Sequence, residues 1–355
     1  MIDSKVLLKA LQKQVSLLEK DLTPTGLADA RLKVEWRAAR NADRTAATFE
    51  AWLGGRVIQV AVAWVLGTVF LRFCEDNGLV EYPFITGPGE RADLARDLQA
   101  EYFQKHPEQT DRDWIIAGFD AMSVSPVAKG LFDRRHNPMW VIQPSHDSAK
   151  ALLAFWRETG PDGQILYDLT DPEWDTRFLG DLYQDLSEAA RKTYALLQTP
   201  EFVEKFILKY TLDPAIEEFG LTPAPPPGHE DLPHRLRMID PACGSGHFLL
   251  GGFRKLLDAW EAQKPSADKW ELIREALSSV HGVDKNPFAV AIARFRLMLA
   301  AMREGGIKRL TEQVDFPLNI AIGDSLQRAR LFKKYLISGC FGHAARLRRS
   351  MVSSS

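Results

Sequence analysis

The 355-residue sequence has only three cysteines, Cys74, Cys243 and Cys340, and they lie far apart along the chain. An odd number at this spacing excludes a disulfide framework and a zinc site built from paired cysteines. We therefore expect a reducing, cytoplasmic environment. Long hydrophobic runs are also missing: the most apolar run, 60–73, is shorter than the ~20 residues of a membrane-spanning helix and predicts a buried core helix.

The sequence lacks an excess of either charge. It has 45 Lys and Arg residues against 47 Asp and Glu residues, so nucleic-acid binding must come from a local patch. No apolar signal-peptide core follows Met1, and we expect that the protein is not exported. Hydrophobic residues make up 45% of the chain and charged residues 26%, as in folded globular proteins.

Helical patterns dominate residues 1–178, which we expect to form a helical N-terminal domain. Helices are predicted at 4–20, 45–76 and 148–159, the first with Ser4 and the last with Asp147 as cap. The apolar stripe of the first helix covers only two heptads. This favours packing on its own domain, and a coiled-coil partner site is the alternative.

Residues 179–326 are expected to form a second domain with a different pattern. A helix at 179–196 is followed by Pro200, which suits the first turn of another helix at 201–210. The proline-rich segment 222–229 predicts a surface loop. A ligand for a polyproline-binding domain is its alternative interpretation.

Strands and helices alternate after this loop. Short apolar strands are predicted at 236–240, 279–284 and 318–323, and helices at 248–262 and 287–303. This order is typical of an α/β fold with a parallel sheet.

The segment Asp240-Pro-Ala-Cys-Gly-Ser-Gly246 joins the first of these strands to a helix. Its glycines let the backbone approach a ligand closely, and a helix start supplies free N–H groups. Position 249 is leucine, so the segment is not a dinucleotide fingerprint, and no Gly-Lys-Ser/Thr follows as in a phosphate loop. A nucleotide-like cofactor is therefore expected here.

Two further acids follow the next strands. Asp284 could accept hydrogen bonds from both ribose hydroxyls of a nucleoside, with helix capping before Pro287 as the alternative. Asp324 lies at the end of the third strand, where ligands of open α/β sheets bind. A turn or capping role explains Asp324 alone equally well.

With these residues the sequence resembles a known family. Asp240 to Gly246, preceded by Thr199-Pro200-Glu201-Phe202-Val203, is similar to the cofactor motif of gamma-type N6-adenine DNA methyltransferases. The segments 72–79, 132–138 and Gly180-Asp-Leu-Tyr183 resemble PglX-type proteins of phage-growth-limitation, BREX-like defence systems. The resemblance covers residues 1–326 and implies a Rossmann-like methyltransferase domain that acts on DNA, with other defence-system proteins as candidate partners.

The resemblance also assigns S-adenosylmethionine as cofactor. It implies that Thr199 and the loop hold the methionine part, that Asp284 binds the ribose, and that Asp324 faces the adenine. Phe248 and either Lys285 or Asn286 would line the pocket, and no metal is expected. The full set of expected cofactor residues is Thr199, Pro200, Asp240, Pro241, Ala242, Cys243, Gly244, Ser245, Gly246, Phe248, Asp284, Lys285, Asp324 and Ser325.

The sequence departs from the family pattern after Asp324. The family binds the target amine through an Asn/Asp/Ser-Pro-Pro-aromatic motif, and none follows here. Residues 327–355 contain seven of the 45 basic residues and no acid. We expect a frameshifted or prematurely stopped reading frame and an incomplete domain without turnover of its own, with a nucleic-acid-binding tail as the alternative.

Other functions stay open on the sequence alone. A non-catalytic cofactor-binding or DNA-binding subunit, completed by a partner chain, is one alternative. A methyltransferase for RNA, protein or small molecules is another, because the cofactor loop does not determine which molecule accepts the methyl group. A nucleophilic role for Cys243 is disfavoured, since no His or Lys adjoins it to lower its pKa.

Overall fold

The computed structural model describes residues 4–326 apart from 126–127, 136, 226, 228–229, 231–232, 311, 313–315 and most of 173–198, where 174, 176, 179 and 186 are described. Three predicted features therefore lie outside the described residues: nearly all of the helix at 179–196, the Gly180-to-Tyr183 segment and the basic tail at 327–355.

Helices around one long central helix make up the N-terminal half. The described helices are α1 (Ser4–Ala28), α2 (Ala30–Asn41), α3 (Phe49–Asp76), α4 (Arg91–Lys105), α5 (Asp111–Ser123) and α6 (His146–Trp156). The helical character predicted for this half is confirmed, but α2, α4 and α5 were not predicted individually. The N-cap of α6 is Ser145 rather than Asp147, because the Ser145 hydroxyl accepts a hydrogen bond from Ser148 N.

The apolar run 60–73 lies inside α3, and its prediction as a buried core helix is confirmed. Every residue from Val60 to Asp76 is buried. The helix is longer than the run: it begins after the cap Thr48 and ends at Asn77-Gly78, where Gly78 adopts a φ of +68°. By length and composition α3 could cross a membrane, but 89% of its most apolar window is buried inside the protein.

The C-terminal end of α3 carries a buried ionic cluster of Arg72, Glu75 and Asp76. Arg72 Nη1 lies 3.2 Å from Glu75 Oε2, and Arg72 Nη2 lies 2.6 Å from Asp76 Oδ1. Glu75 also accepts hydrogen bonds from the backbone N–H groups of three consecutive residues, 84–86. The cluster thus fastens the loop segment 84–86 to the core helix.

The apolar face of α1 packs on α3, so the prediction that this helix packs on its own domain is confirmed. Leu11, Val15 and Leu18 are buried as expected, and Leu7 and Leu22 extend the buried face. The helix continues past the predicted end at residue 20 to Ala28.

The C-terminal part alternates helices with a small parallel sheet, as predicted. Its described elements are α7 (Glu201–Phe219), β1 (Met238–Asp240), α8 (His247–Gln263), α9 (Lys269–Ser279), β2 (Val280–Asp284), α10 (Pro287–Glu304) and β3 (Asn319–Ile322). The short helix α9 was missed: α8 ends before Pro265, and Asp268 caps a new helix. β1 begins later than predicted because Leu236 N donates to Leu221 O instead of joining the sheet.

The three strands are parallel and run in the order β1-β2-β3. In this register Asp240 is paired with Gly282, and Asp284 with Ile322. The carboxyl ends of the strands therefore meet at one edge, where ligands of open α/β sheets bind.

The two halves of the chain are in direct contact through α3 and α10. The Phe295 ring stacks on Phe70 with centroids 4.6 Å apart and meets Phe73 edge-on at 5.9 Å. Leu310 N also donates to Leu79 O at 2.8 Å. The helical half thus supports the helix that follows β2.

Candidate functional site

The loop between β1 and α8 is a tight turn held by hydrogen bonds between its own residues. Gly246 N donates to Cys243 O at 2.8 Å, and Ala242 N donates to Asp240 Oδ1 at 3.1 Å. Gly244 and Gly246 both have positive φ, +52° and +85°. Residues with side chains rarely adopt this conformation, so the two glycines are required by the turn.

The two glycines differ in what surrounds them. A Cβ on Gly246 would lie 3.0 Å from the Cβ and 3.2 Å from the Cα of Ala293, so α10 packs directly on the loop. A Cβ on Gly244 would meet no atom within 4 Å. The backbone at Gly244 therefore faces open space that a ligand could occupy.

Asp284 connects the end of β2 to this loop. Its Oδ2 accepts from Gly244 N at 2.9 Å, and its Oδ1 accepts from Asn286 N at 2.8 Å. The cap of α10 is Asn286, whose side chain accepts from Phe288 N at 3.0 Å. The capping alternative for Asp284 is therefore wrong.

Asp284 keeps acceptor capacity beside these two bonds. A carboxylate has about four lone-pair positions, and only two are used here by backbone N–H groups. The residue is partly exposed at the open edge of the sheet. The carboxylate can thus hold the loop and still accept hydrogen bonds from a ligand's hydroxyl groups.

Asp324 reaches the same edge after β3. The preceding residue, Gly323, donates its N–H to Asp284 O at 2.9 Å. Asp324 Oδ2 lies 2.8 Å from Lys285 Nζ, and its Oδ1 accepts from Leu326 N at 3.0 Å. The turn role expected as an alternative is present, together with an ion pair across the edge.

Burial changes the protonation of two loop residues. It raises the pKa of Asp240, and the nearby Asp284 charge raises it further. Burial raises the pKa of the Cys243 thiol well above its usual value, and the charges of Asp240 and Asp284 act in the same direction. Cys243 is 5% exposed, so its thiol stays protonated and is unsuited to nucleophilic attack.

Two arginines of α10 that the sequence analysis missed support the site from behind. Arg296 is buried and donates to Ser245 O at 2.8 Å and to Thr176 Oγ1 at 3.2 Å. Arg294 donates to Ile320 O on β3 at 3.0 Å and reaches Gly130 O at 3.4 Å. Two charges on opposite faces of the otherwise apolar stretch 287–302 are the sequence signal that could have revealed them.

Thr199 and Pro200 precede α7, which runs alongside α8 in the same direction. Glu204 of α7 contacts α8 at Gly251, and further along Asp213 lies 2.7 Å from Lys255 Nζ. The N-termini of both helices therefore point the same way. Thr199 is half-buried beside this end, while Pro200 is exposed.

The structure thus brings most of the predicted site residues to one edge of the sheet. The loop from Asp240 to Gly246, Asp284, Lys285 and Asp324 are joined by the contacts described above. Ser325 is exposed next to Asp324. Phe248 lies in the first turn of α8, partly buried against the core.

Comparisons with known proteins agree with the sequence motifs. Residues 230–320 match the family described as MmeI, DNA-methyltransferase domain. The chain is 50% identical over 340 residues to the adenine-specific methyltransferase PglX of Streptomyces coelicolor, a match that covers 92% of this chain. The predicted resemblance to PglX-type methyltransferases is confirmed.

Two further matches are more distant. One match is a Methanocaldococcus jannaschii protein whose name describes a type II restriction enzyme and methyltransferase. It is 33% identical over 101 residues, or 26% of this chain. A chain in the cryoEM structure of a DrdV-DNA complex covers 92% of this chain with 14% identity and a TM-score of 0.42, which is too low to support an inference.

The chain spans only part of each of these proteins. It covers 27% of the length of PglX, 9% of the Methanocaldococcus protein and 26% of the DrdV chain.

Proposed function

We propose that this chain is the S-adenosylmethionine-binding part of an adenine-N6 DNA methyltransferase of the PglX type. The observation that carries the proposal is the contact between Asp284 and Gly244. It places a carboxylate with free acceptor positions against an open glycine backbone, at the ligand-binding edge of a parallel sheet. The 50% identity to PglX supplies the reaction class.

The residues present fit this cofactor. Gly244 leaves the loop backbone open where a Cβ would fill the space, and the start of α8 offers N–H groups to a carboxylate. Asp284 has acceptor positions for a pair of ribose hydroxyls. When bound, S-adenosylmethionine supplies an electrophilic sulfonium methyl group.

The proposed roles follow the layout of the edge. Thr199, Pro200 and the loop from Asp240 to Gly246 hold the methionine part, and Asp284 binds the ribose. Asp324, with Ser325 and Lys285 beside it, faces the adenine ring, and Phe248 lines the pocket. We propose a Rossmann-like completion of the sheet and a cytoplasmic location within a phage-defence or restriction-modification system.

Methyl transfer to an adenine amine needs more than these residues. The base must leave the duplex and its nitrogen must align with the methyl group. The family performs this step with a Pro-Pro-aromatic motif that does not follow Asp324 in this sequence. We propose that the 355-residue chain binds cofactor without turning over DNA, and radiolabelled methyl transfer by the purified chain would refute this part.

A second candidate is a cofactor-binding subunit completed by another polypeptide. Among the described residues, β1 pairs with β2 alone, and Ile239 on β1 is 46% exposed. An open strand edge with an exposed apolar side chain favours a further strand beside β1. Co-purification of a partner that bears the missing motif would distinguish this candidate from a methyltransferase chain that lacks the motif and has no partner.

Calorimetric titration with S-adenosylmethionine tests the cofactor proposal. We expect saturable binding, and we expect Asp284→Asn to weaken it by about 30-fold or more, because hydrogen bonds to a charged acceptor are worth about 1.5–3 kcal/mol each. Asp258→Asn is the matched control, since Asp258 is exposed on α8 and the charge change is the same. Equal affinities for the two variants, with unchanged melting temperatures, would refute the assignment.

A further inference from the structure

The second helix, α2, is anchored at few points. Leu32 is its one buried residue, and its packing partner is α3. Trp36 lies half-buried and donates its indole N–H to Ala47 O at 3.1 Å. Most of the helix surface is therefore open to solvent.

A row of cations occupies one exposed face of α2. Lys33, Arg37 and Arg40 follow one another at spacings of four and three residues, which places them on the same side of α2. All three are exposed, and among the described residues no carboxylate lies within ion-pair distance of any of them. We call these three residues the α2 cationic stripe.

Two acids of α2 and its cap are paired with other cations, and exposed Asp43 lies beyond the end of the helix. Asp29 caps α2 and pairs with Arg31 at 2.8 Å, and Glu35 on the opposite face pairs with Arg56 of α3. Residues 1–326 contain 38 basic and all 47 acidic residues, so this part of the chain is acidic as a whole. The stripe is a local positive patch on a negatively charged surface.

Aromatic rings beneath the stripe hold its cations in place. Arg40 lies over the Trp36 ring at 5.5 Å, and Lys33 lies over the Phe49 ring at 5.8 Å. Phe49 in turn meets Trp36 edge-on at 5.8 Å. Cations fixed in this way lose less side-chain entropy when they bind an anion.

We propose that the α2 cationic stripe binds the phosphate backbone of duplex DNA. This contact would lie outside the cofactor edge, by which we mean the proposed cofactor site formed by the loop 240–246, Asp284 and Asp324. This inference rests on the proposed function, in which DNA is the substrate. From Lys33 to Arg40 the stripe is about 10 Å long at the 1.5 Å rise of a helix. A narrow row of cations of this length matches successive phosphates along one strand of a duplex.

The composition of α2 argues against a membrane surface as the partner. A helix that lies in a membrane interface exposes a broad apolar face. On α2, Val34 is the exposed large hydrophobic residue, at 63%, and the remaining exposed positions are polar, charged or alanine. An acidic protein is the alternative partner of a cationic surface, and a comparison of DNA with polyglutamate distinguishes the two.

The stripe lies far from the cofactor edge along α3. It adjoins Phe49 and Trp52 at the start of α3, whereas α10 packs on Phe70 and Phe73 near the end. From Trp52 to Phe70 the helix axis spans about 27 Å. The stripe is therefore a contact surface separate from the loop 240–246.

Fluorescence anisotropy with a 30-base-pair duplex tests the proposal. The triple variant Lys33→Gln, Arg37→Gln, Arg40→Gln should bind at least about 10-fold more weakly at 100 mM salt. Its plot of log affinity against log salt should be shallower by about 0.9 for each lost phosphate contact. The matched control neutralises Lys5, Lys9 and Lys13, which are exposed on one face of α1 and carry the same total charge.

Each outcome decides the proposal. An equal loss in the α1 control, or unchanged binding by the α2 variant, would overturn it, and so would an absence of DNA binding by the parent chain. Equal affinity of the parent for polyglutamate would favour an acidic protein partner and also overturn it. Titration of the α2 variant with S-adenosylmethionine keeps the proposed function separate, because that affinity should not change.

Discussion

The buried ionic cluster on α3 and the sheet edge proposed to bind the cofactor both have carboxylates that accept hydrogen bonds from backbone N–H groups, but the two sites differ in how many acceptor positions remain free. Glu75 is fully buried and accepts from residues 84–86. Asp284 is partly exposed and accepts from Gly244 and Asn286. The first carboxylate is saturated by the protein itself, and the second has acceptor positions left over.

This difference separates a structural acid from an acid that can still accept hydrogen bonds from a ligand. Near Glu75 and Asp76, a single cation, Arg72, serves two buried carboxylates. At the edge, Asp284 lies beside the open backbone of Gly244. We expect substitutions in the cluster to change the free energy of unfolding, and substitutions at the edge to change cofactor affinity more than stability.

The largest effect is expected for Arg72→Met. The change leaves Glu75 and Asp76 buried without a cation, and breaking such a cluster from one side costs about 3–5 kcal/mol of unfolding free energy. Urea denaturation followed by circular dichroism measures it. Arg96→Met is the control: its partner Asp93 is 79% exposed, and we expect a loss below about 1 kcal/mol. A comparable loss of unfolding free energy in both variants would contradict the distinction between the buried cluster and an exposed ion pair.

The next effect is a pH dependence that arises from Asp76. Burial raises its pKa from 3.8 to about 7, against the opposing charge of Arg72. Between these two pH values the unfolded chain releases the proton while the folded protein keeps it, so stability falls as pH rises. The decrease from pH 4 to 7 should amount to a few kcal/mol.

Denaturation curves for the parent and for Asp76→Asn at several pH values measure this contribution. The stability difference between the two proteins should change between pH 4 and pH 7 and level off above it. A constant difference over that range would show that Asp76 is ionised throughout, and the cluster would then hold two full negative charges.

Much of the α/β part could be predicted from its sequence because its elements are short and local. Pro287 after Asn286 marks a helix start, and Gly244 and Gly246 mark a tight turn, so both appear in the residue pattern. The alternation of apolar segments predicted the parallel sheet. The boundaries of β1 differ because Leu236 bonds to Leu221, a contact between distant residues.

The partners of charged residues could not be predicted in the same way. Arg72 was recognised only within a family-like segment, and its contact with the Thr86 carbonyl depends on how a loop folds back on α3. Arg296 reaches Ser245 across 51 residues of chain. For Asp284, capping and ligand binding were both open until the structure showed that Asn286 is the cap.

A third prediction compares the two glycines of the loop. Gly246→Ala forces a Cβ against the backbone of Ala293 at a φ of +85° and should cost about 2–4 kcal/mol of stability. Gly244→Ala meets open space and should cost about 1–2 kcal/mol. We expect Gly244→Ala to weaken S-adenosylmethionine binding at least 10-fold, because the methyl group occupies the proposed ligand space. Unchanged affinity in a folded Gly244→Ala protein would contradict that placement.

The smallest effect is expected for Lys285→Met at the rim of the edge. Lys285 is 62% exposed and pairs with Asp324, which is 18% exposed, so solvent screens the pair from the Lys285 side and we expect it to contribute under about 1 kcal/mol to stability. The Lys285→Met change removes one partner of the Asp324 carboxylate and should change S-adenosylmethionine affinity only a few-fold. The difference from the parent should shrink in 0.5 M salt, because exposed charges are screened. A stability loss above about 2 kcal/mol would instead place Lys285 in a network like that of Arg72, and the distinction between a saturated core cluster and an open edge would fail at this residue.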